Sequence, residues 1–416
     1  MINVAVLGYG VVGSGVVEVI NKNSSSISLR AGDEIRVKKI LDIRDFQDDP
    51  FGHLLTKNAD DVFNDDSISI VVETIGGARI AYEFTKRALA ARKHVVTSNK
   101  ELVATHGPEL LKLAKENNVN YLFEASVGGG IPIIRPLNQC LAANEIHGIT
   151  GILNGTTNYI LSQMRKEGKD FAEALKGAQE NGYAEADPTA DVEGHDACRK
   201  IAILSSIAYN EYVDCRDIYT EGISKLSLAD MAYADAMNSV IKLIAISKKV
   251  GEKITARVSP AIISKSNPLA TVEDVFNAIV VKGDAIGDAM FYGRGAGKLP
   301  TASAVVADVI DIAKHFDVGV NNVWKVKESK NVIDFDDTET KLFVRLKTQN
   351  AEEAKRLVRE IFGDVSFVLV SNTKIEDELG FVTPTGKEGK FKSMLDQIDG
   401  KESVREILNV IRMLEE

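Results

Sequence analysis

The chain has 416 residues, enough for two or three domains, and its 44% hydrophobic and 26% charged content is that of a folded globular protein. Its formal net charge of −10 argues against nucleic acid as a partner and offers nothing to an anionic membrane. The N-terminus, MINVAVLGYG, lacks the basic leader of a signal peptide, and no apolar run reaches the roughly 18 residues of a membrane helix. Cys140, Cys198 and Cys215 have no paired spacing, which excludes a disulfide framework or zinc site and makes a reduced cytoplasm the expected location.

In chain order, Ile2 to Leu7 reads as a buried strand, followed by a helix whose Val11, Val12, Val16, Val17 and Val19 face a core. Between them Gly8, Gly10 and Gly13 form G-x-G-x-x-G. Gly8 would make the tight turn, Gly10 would let a pyrophosphate approach the backbone, and Gly13 would let helix and strand close up. The helix N-terminus supplies amides and a positive dipole end for phosphates. A second strand spans Glu34 to Ile43, with Asp42, Arg44 and Asp45 at its end. An acidic residue there suits the ribose hydroxyl of NAD and an arginine the 2′-phosphate of NADP; both are present, and Arg44 tilts the reading toward NADP.

A third strand ends at Glu73 and Thr74, a helix runs from Ala81 to Ala91, and the strand HVVTSNK ends at Lys100. Ligands collect outside the carboxyl ends of such parallel strands, which singles out Thr74 and Lys100. Tyr121 to Ala125 reads as another strand, leading into Gly128 to Gly130. Exposed carbonyls there, with Glu124, could coordinate a hard monovalent cation or could form a plain tight turn.

The stretch ITGILNGTTNYIL reads as strand, turn and helix, with Asn154 and Gly155 ahead of Thr156 or Thr157 as the expected helix cap. Phosphorylating aldehyde dehydrogenases and aspartate-semialdehyde dehydrogenase carry a nucleophilic cysteine in a similar turn, where this chain has Gly155. Without a thiol no thioester forms, which leaves direct hydride transfer. Beyond it, GYAEADPTADVEGHDACRK sets Glu185, Asp187, Asp191, Glu193 and Asp196 before Arg199 and Lys200. The helix from Phe171 should end at Asn181 and Gly182, and a new one should start near Val192. Asp196 and Lys200 then meet at i, i+4. On a surface such a pair contributes only about 0.2–0.5 kcal/mol. In a site, the carboxylates would hold an ammonium and the lysine would move a proton.

Past a polar linker, Lys325 to Asp337, the pattern changes to strand, helix, two strands (DVSFVLVS and ELGFVTP), helix and strand, a βαββαβ order.

Taken together, the N-terminal glycine motif, TSNK, FEASVGGGIPI, GILNGTTNYIL, GYAEADPTADVEGHDACRK and GDAMFYGRGAG resemble homoserine dehydrogenase over almost the whole chain. The resemblance implies an α/β fold: an N-terminal Rossmann NAD(P)-binding domain, residues 1–130, completed by a returning segment near 293–320. It further implies an α+β catalytic and dimerisation domain, 131–292, and a C-terminal ACT-like module, 338–416. The implied reaction is reversible NAD(P)-dependent hydride transfer between L-homoserine and L-aspartate 4-semialdehyde, in threonine, methionine and isoleucine biosynthesis. No aspartate kinase segment precedes Met1, so the single-function form is expected.

By the same resemblance, Glu185 holds the substrate ammonium, and Asp191 and Asp196 contact substrate. Lys200 is the acid–base group, and Lys100 stands near substrate and cofactor. Gly8, Gly10, Val11, Val12, Gly13, Arg44, Thr74, Lys100 and Gly297 bind the cofactor. A sodium or potassium ion is held by the Glu124 carboxylate and the carbonyls of Val127, Gly129 and Ile131. Lysine ordinarily ionises near pH 10.4. Asp196 favours its protonated form, so oxidation should improve as pH rises. A homodimer or higher homo-oligomer is implied. The ACT-like module would bind threonine or serve only dimer contacts. Two alternatives are another non-covalent NAD(P) oxidoreductase of this plan and a nucleotide-sensing Rossmann protein, which would not need Glu185, Asp196 and Lys200 together.

Overall fold

The computed structural model describes residues 1–46, 48–319, 322–370 and 377–414. They group into two compact units: Met1–Ile146 with Ala202–Cys215 and Gly283–Ser329, and His147–Ile201 with Arg216–Lys282 and Lys330–Glu416.

In the first unit, strands β1 (Ile2–Leu7), β2 (Ile35–Leu41), β3 (Leu55–Thr56), β4 (Ile68–Glu73), β5 (His94–Thr97) and β6 (Tyr121–Leu122) form one parallel sheet. Its order is β3-β2-β1-β4-β5-β6, which changes direction between β1 and β4. That switch point is where parallel sheets open a crevice for ligands. Helices α1 (Val11–Lys22), α2 (Ser24–Ala31), α3 (Asp60–Phe63), α4 (Arg79–Ala90) and α5 (Lys100–Glu116) supply the crossovers. Val4 to Leu7 and Ile70 to Val72 are fully buried, as expected of strands covered on both faces.

The second unit carries β7 (Ile146–Ile152), α6 (Gly155–Glu167), α7 (Phe171–Glu180), α8 (Thr189–Val192), α9 (His195–Tyr209), β8 (Tyr219–Thr220), α10 (Leu228–Ala236), β9 (Ser239–Val250), β10 (Lys253–Ser264) and β11 (Phe276–Gly283). Only the first half of α9 belongs to it. The chain then returns to the first unit through β12 (Gly287–Arg294) and α11 (Lys298–Lys314). There Val305, Val306, Val309 and Ile312 of α11 join Val4, Val6, Val16 and Val17 in one core. Helix α11 starts at Lys298, where Gly297 caps it and Pro300 fits the first turn.

The C-terminal elements are β13 (Glu339–Thr348), α12 (Ala351–Phe362), β14 (Ser366–Val368), β15 (Glu378–Val382), β16 (Gly386–Lys387), α13 (Glu388–Ile398) and β17 (Val404–Met413). The order is the expected one with the two-residue β16 added; Ser371, in the second expected strand, lies outside the described residues. These elements close their own core around Leu342, Val344, Val358, Phe381 and Phe391. They also share a sheet with the rest of the unit, in the order β11-β7-β9-β10-β17-β13-β15-β14. Strand β17 joins β10 in parallel at Ala261–Arg412 and Ile262–Met413. The linker is less loose than its composition suggests: Val332 is buried and its neighbour Ile333 donates its N–H to Ile254 O at 2.8 Å.

Two boundaries differ for identifiable reasons. The expected strand Tyr121 to Ala125 ends at Leu122, and Glu124–Ser126 is a 3₁₀ turn. Helix α9 begins at His195, not near Val192, because Gly194 adopts φ +81° and breaks it from α8.

Candidate active site

The three glycines of the first unit meet three different constraints. Gly8 has φ +89°, and a Cβ there would lie 2.9 Å from Thr74 O. At Gly13 a Cβ would lie 1.9 Å from Gly8 O, so only glycine allows the helix this close to the turn. Gly10 is open; the nearest atom to its virtual Cβ is Arg44 Nη2 at 3.9 Å. No side chain caps α1 and no acidic residue occupies its first turn. The amides near Val11 and Val12 are therefore left for an anion. Thr74 closes the turn, its hydroxyl donating to Leu7 O and Gly8 O, both at 2.9 Å.

At the end of β2, Asp42 is buried and accepts from Tyr9 N at 2.6 Å. Arg44 forks it, Nε to Oδ1 at 3.0 Å and Nη2 to Oδ2 at 2.8 Å. That fork, with the amides of Arg44 and Tyr9, outweighs burial and holds the Asp42 carboxyl far below the usual range. The two residues that the sequence left as rival ribose readers are thus one ion pair. Arg44 keeps an exposed face at a cavity of about 510 Å³ that His53 and Lys57 also line.

Beside Thr74, sequence reading passed over Glu73 as a site residue. It is buried, accepts from Thr97 Oγ1 at 2.5 Å and Ile75 N at 2.6 Å, and burial pushes its pKa up to about 7. Lys100 opens α5 half-buried, behind the Asn99 cap, whose amide donates to Ile75 O at 3.0 Å and Gly77 O at 2.8 Å. Gly8, Thr74 and Lys100 thus follow the ends of β1, β4 and β5. Gly297, with φ +125°, caps α11, and Gly130 donates its N–H to Arg294 O at 3.1 Å in the segment just before it.

Glu124 has a structural task that the sequence did not announce. Its buried carboxylate accepts the amides of Ile133 at 2.6 Å, Ile134 at 2.9 Å and Arg135 at 2.7 Å. It thereby organises the glycine loop. Among the described residues the carbonyls of Val127, Gly129 and Ile131 accept no backbone hydrogen bond. Also among the described residues, no group of three or more His, Cys, Asp or Glu is placed to hold a metal ion. No helix of the described residues is long and apolar enough to cross a membrane.

In the second unit one side chain gathers the chemistry. Asn154 is the true cap of α6, in place of the expected threonines: its Oδ1 accepts from Thr157 N at 2.9 Å. Its Nδ2 donates to Asp191 Oδ1 at 2.7 Å and to Asp196 Oδ2 at 2.9 Å. Asp196 Oδ2 also accepts from Lys200 Nζ at 2.7 Å, and Lys200 donates to Leu153 O at 2.8 Å. Asp196 and Lys200 are only 3% and 7% exposed, so this is no surface pair. A buried pair is a poor source of stability, because desolvation offsets the attraction; its retention points to function.

The loop of Glu185 is tied to the same turn, since Thr156 Oγ1 donates to Tyr183 O at 2.7 Å. Glu185 itself is exposed, with no hydrogen bond to its carboxylate among the described residues. The structure thus brings Asp191, Asp196 and Lys200 together and anchors the Glu185 loop beside them. Sequence reading missed Asn154; the signal was an asparagine two residues before a threonine pair at a helix start. Gly155 is also explained: a Cβ there would lie 2.7 Å from Val275 O, so no cysteine fits. Cys198 is buried on α9.

A dinucleotide cradle and a buried lysine–carboxylate pair, in a chain whose turn has no room for a thiol, define a nicotinamide-dependent oxidoreductase that forms no thioester. Comparison with known proteins sharpens this. The family model "Homoserine dehydrogenase, NAD binding domain" matches residues 8–124 and "Homoserine dehydrogenase" matches 132–310. Homoserine dehydrogenase of Synechocystis sp. is 40% identical over 432 residues, 99% of this chain and 99% of that protein. The crystal structure of a homoserine dehydrogenase from Thiobacillus denitrificans superposes with TM-score 0.90 at 36% identity, covering 100% of this chain and 98% of that one. A hyperthermophilic archaeal homoserine dehydrogenase mutant in complex with NADPH matches 74% of this chain and 97% of its own, with TM-score 0.64 and 30% identity. The chain belongs to the homoserine dehydrogenase family, and is an NAD(P)-dependent oxidoreductase.

Proposed function

We propose that this chain interconverts L-homoserine and L-aspartate 4-semialdehyde with the residues gathered around Asn154. Lys200 takes the hydroxyl proton of homoserine during oxidation and returns it to the alkoxide during reduction. The nicotinamide, when bound, accepts or supplies the hydride. Asp196 holds the Lys200 ammonium in place and, with Asp191, supplies the negative charge that suits the substrate's amino end. Glu185 closes on that ammonium from its exposed loop. Lys100, at the carboxyl end of β5, serves substrate and cofactor together. The observation that carries this reading is the buried chain of hydrogen bonds Asp191–Asn154–Asp196–Lys200.

Gly8, Gly10, Val11, Val12, Gly13, Thr74 and Gly297 take the cofactor, in the division of domains drawn from the sequence. The exposed face of Arg44, with Asp42 already neutralised beneath it, supports a preference for NADP. A sodium or potassium ion would be held by the Glu124 carboxylate and the carbonyls of Val127, Gly129 and Ile131, and would fix the glycine loop that Glu124 also shapes. The strand–helix order from residue 338 onward supports a separate C-terminal module that binds threonine as an effector or serves only dimer contacts; a cytoplasmic homodimer is the assembly the family resemblance implies. Initial rates of homoserine oxidation with NAD and NADP, with and without threonine, in the parent and in Lys200→Ala test these assignments. Undiminished turnover in Lys200→Ala removes the mechanism.

A further inference from the structure

Arg412, on β17, is buried, and its guanidinium donates to Glu388 at 2.8 and 3.3 Å. It also pairs with Glu221 Oε2, the atom that accepts from Tyr219 Oη at 2.9 Å. Glu221 follows β8, and its N–H is fixed by Val258 O at 2.8 Å. From there the contacts run through backbone. A Cβ at Gly222 would lie 2.3 Å from Val192 O and 2.5 Å from Glu193 Cα, so no side chain cushions this crossing. Ile223 donates its N–H to the same Val192 O at 2.8 Å. Gly194 packs under Thr220 and Val258, and its carbonyl accepts from Cys198 N at 2.9 Å in the first turn of α9. Asp191 precedes this crossing by one residue; Asp196 and Lys200 follow it.

We infer that Glu221 and Arg412 are positioning residues for Asp196 and Lys200: the ion pair between the C-terminal elements and the turn after β8 sets where α9 begins. Close-packed interiors transmit displacement, and backbone against backbone has the least room to absorb it. A shift of Glu221 therefore moves the 192–194 segment and, with it, the geometry of the acid–base pair. The state of the C-terminal elements thus reaches the reaction through the Glu221 carboxylate, beside the direct pairing of β17 with β10. This rests on the assignment of Lys200 made above.

The test uses the full-length protein and homoserine deuterated at its carbinol carbon. Glu221→Gln is expected to lower kcat about three- to thirtyfold, the usual range for coupling residues. It should raise the deuterium isotope effect on kcat while leaving cofactor affinity within twofold. A variant that is merely less well folded loses active enzyme without changing its isotope effect. Tyr219→Phe removes only the phenol bonds to Glu221 and Arg412, and should shift both quantities the same way by less; it decides the matter if Glu221→Gln does not fold. Parental kcat and isotope effect in the folded variants would overturn the coupling. Lys200→Ala, run alongside, separates the two failures: if it is inactive and the other variants are normal, only the coupling falls. If it retains turnover, the assignment of Lys200 falls and the coupling with it.

Discussion

At the carboxyl ends of the first unit's strands, the groups offered to a ligand are backbone amides, uncovered because Gly8, Gly10 and Gly13 carry no side chains. In the second unit they are side chains, the buried Asn154, Asp196 and Lys200 and the half-buried Asp191, joined by hydrogen bonds. A cradle of amides tolerates almost any chemistry around it but no added volume. A cluster of buried charges tolerates modest changes of volume but no unpaired partner. The same enzyme therefore has one region that should break sterically and another that should break electrostatically.

The largest effect is expected at Lys200, where alanine should lower kcat by about 10²–10⁴, the usual contribution of a positioned acid–base group. Cofactor affinity, measured by fluorescence titration, should survive because the first unit is untouched. Asn154→Ala should follow. Losing the amide that joins Asp191 to Asp196 takes one donor from each carboxylate, at about 1–3 kcal/mol of stability by denaturant unfolding. Turnover should fall further than stability alone explains.

On the backbone side, Gly13→Ala should cost about 1–3 kcal/mol, because the new methyl meets Gly8 O, and should weaken cofactor binding as well. Gly10→Ala sharpens the contrast. Its surroundings are open, so stability should move by less than about 0.5 kcal/mol while the KM for cofactor rises. If Gly10→Ala unfolds as readily as Gly13→Ala, the separation of turn-making from ligand-facing glycines is wrong.

The smallest effect is a pH dependence at Glu73. Folded, it ionises near 7 because it is buried; unfolded, it returns to about 4.5. Between those values the folded protein holds a proton that the unfolded chain has released. Glu73 therefore stabilises the fold most below pH 4.5, and loses that contribution as pH rises toward 7. Glu73→Gln should flatten the unfolding free energy across that window relative to the parent. An identical pH slope in the two proteins would falsify the protonated form.

How much could be read in advance followed the same division. The glycine cradle was legible because each glycine answers a local constraint, and strand followed by turn followed by helix is a local pattern. Asp196 and Lys200 were legible as an i, i+4 pair, but not their burial, which depends on Leu153 and Asn154 more than forty positions earlier. The amide partners of the Glu124 carboxylate, Ile133 to Arg135, were not legible, because they fold back in a way no periodicity announces. Lys242 was invisible altogether. It interrupts the apolar run of β9, is buried against Asn158 and Val272, and burial pushes its pKa down to about 8. Nothing in SVIKLIAIS separates it from a lysine at a strand's solvent face.

The position of β17 has a consequence for biosynthesis. Strand β17 comes after every other strand in the chain, yet it lies in the interior of the second sheet, between β10 and β13. Until residues 404–413 emerge from the ribosome, β8 covers β10 only at Arg257 and Val258, Ala261 and Ile262 lack their strand partner, and β13 has no bridge to the β9–β10 hairpin. The second unit should consequently mature only late in synthesis. Nascent chains interrupted before residue 404 would present an open strand edge to chaperones or to one another.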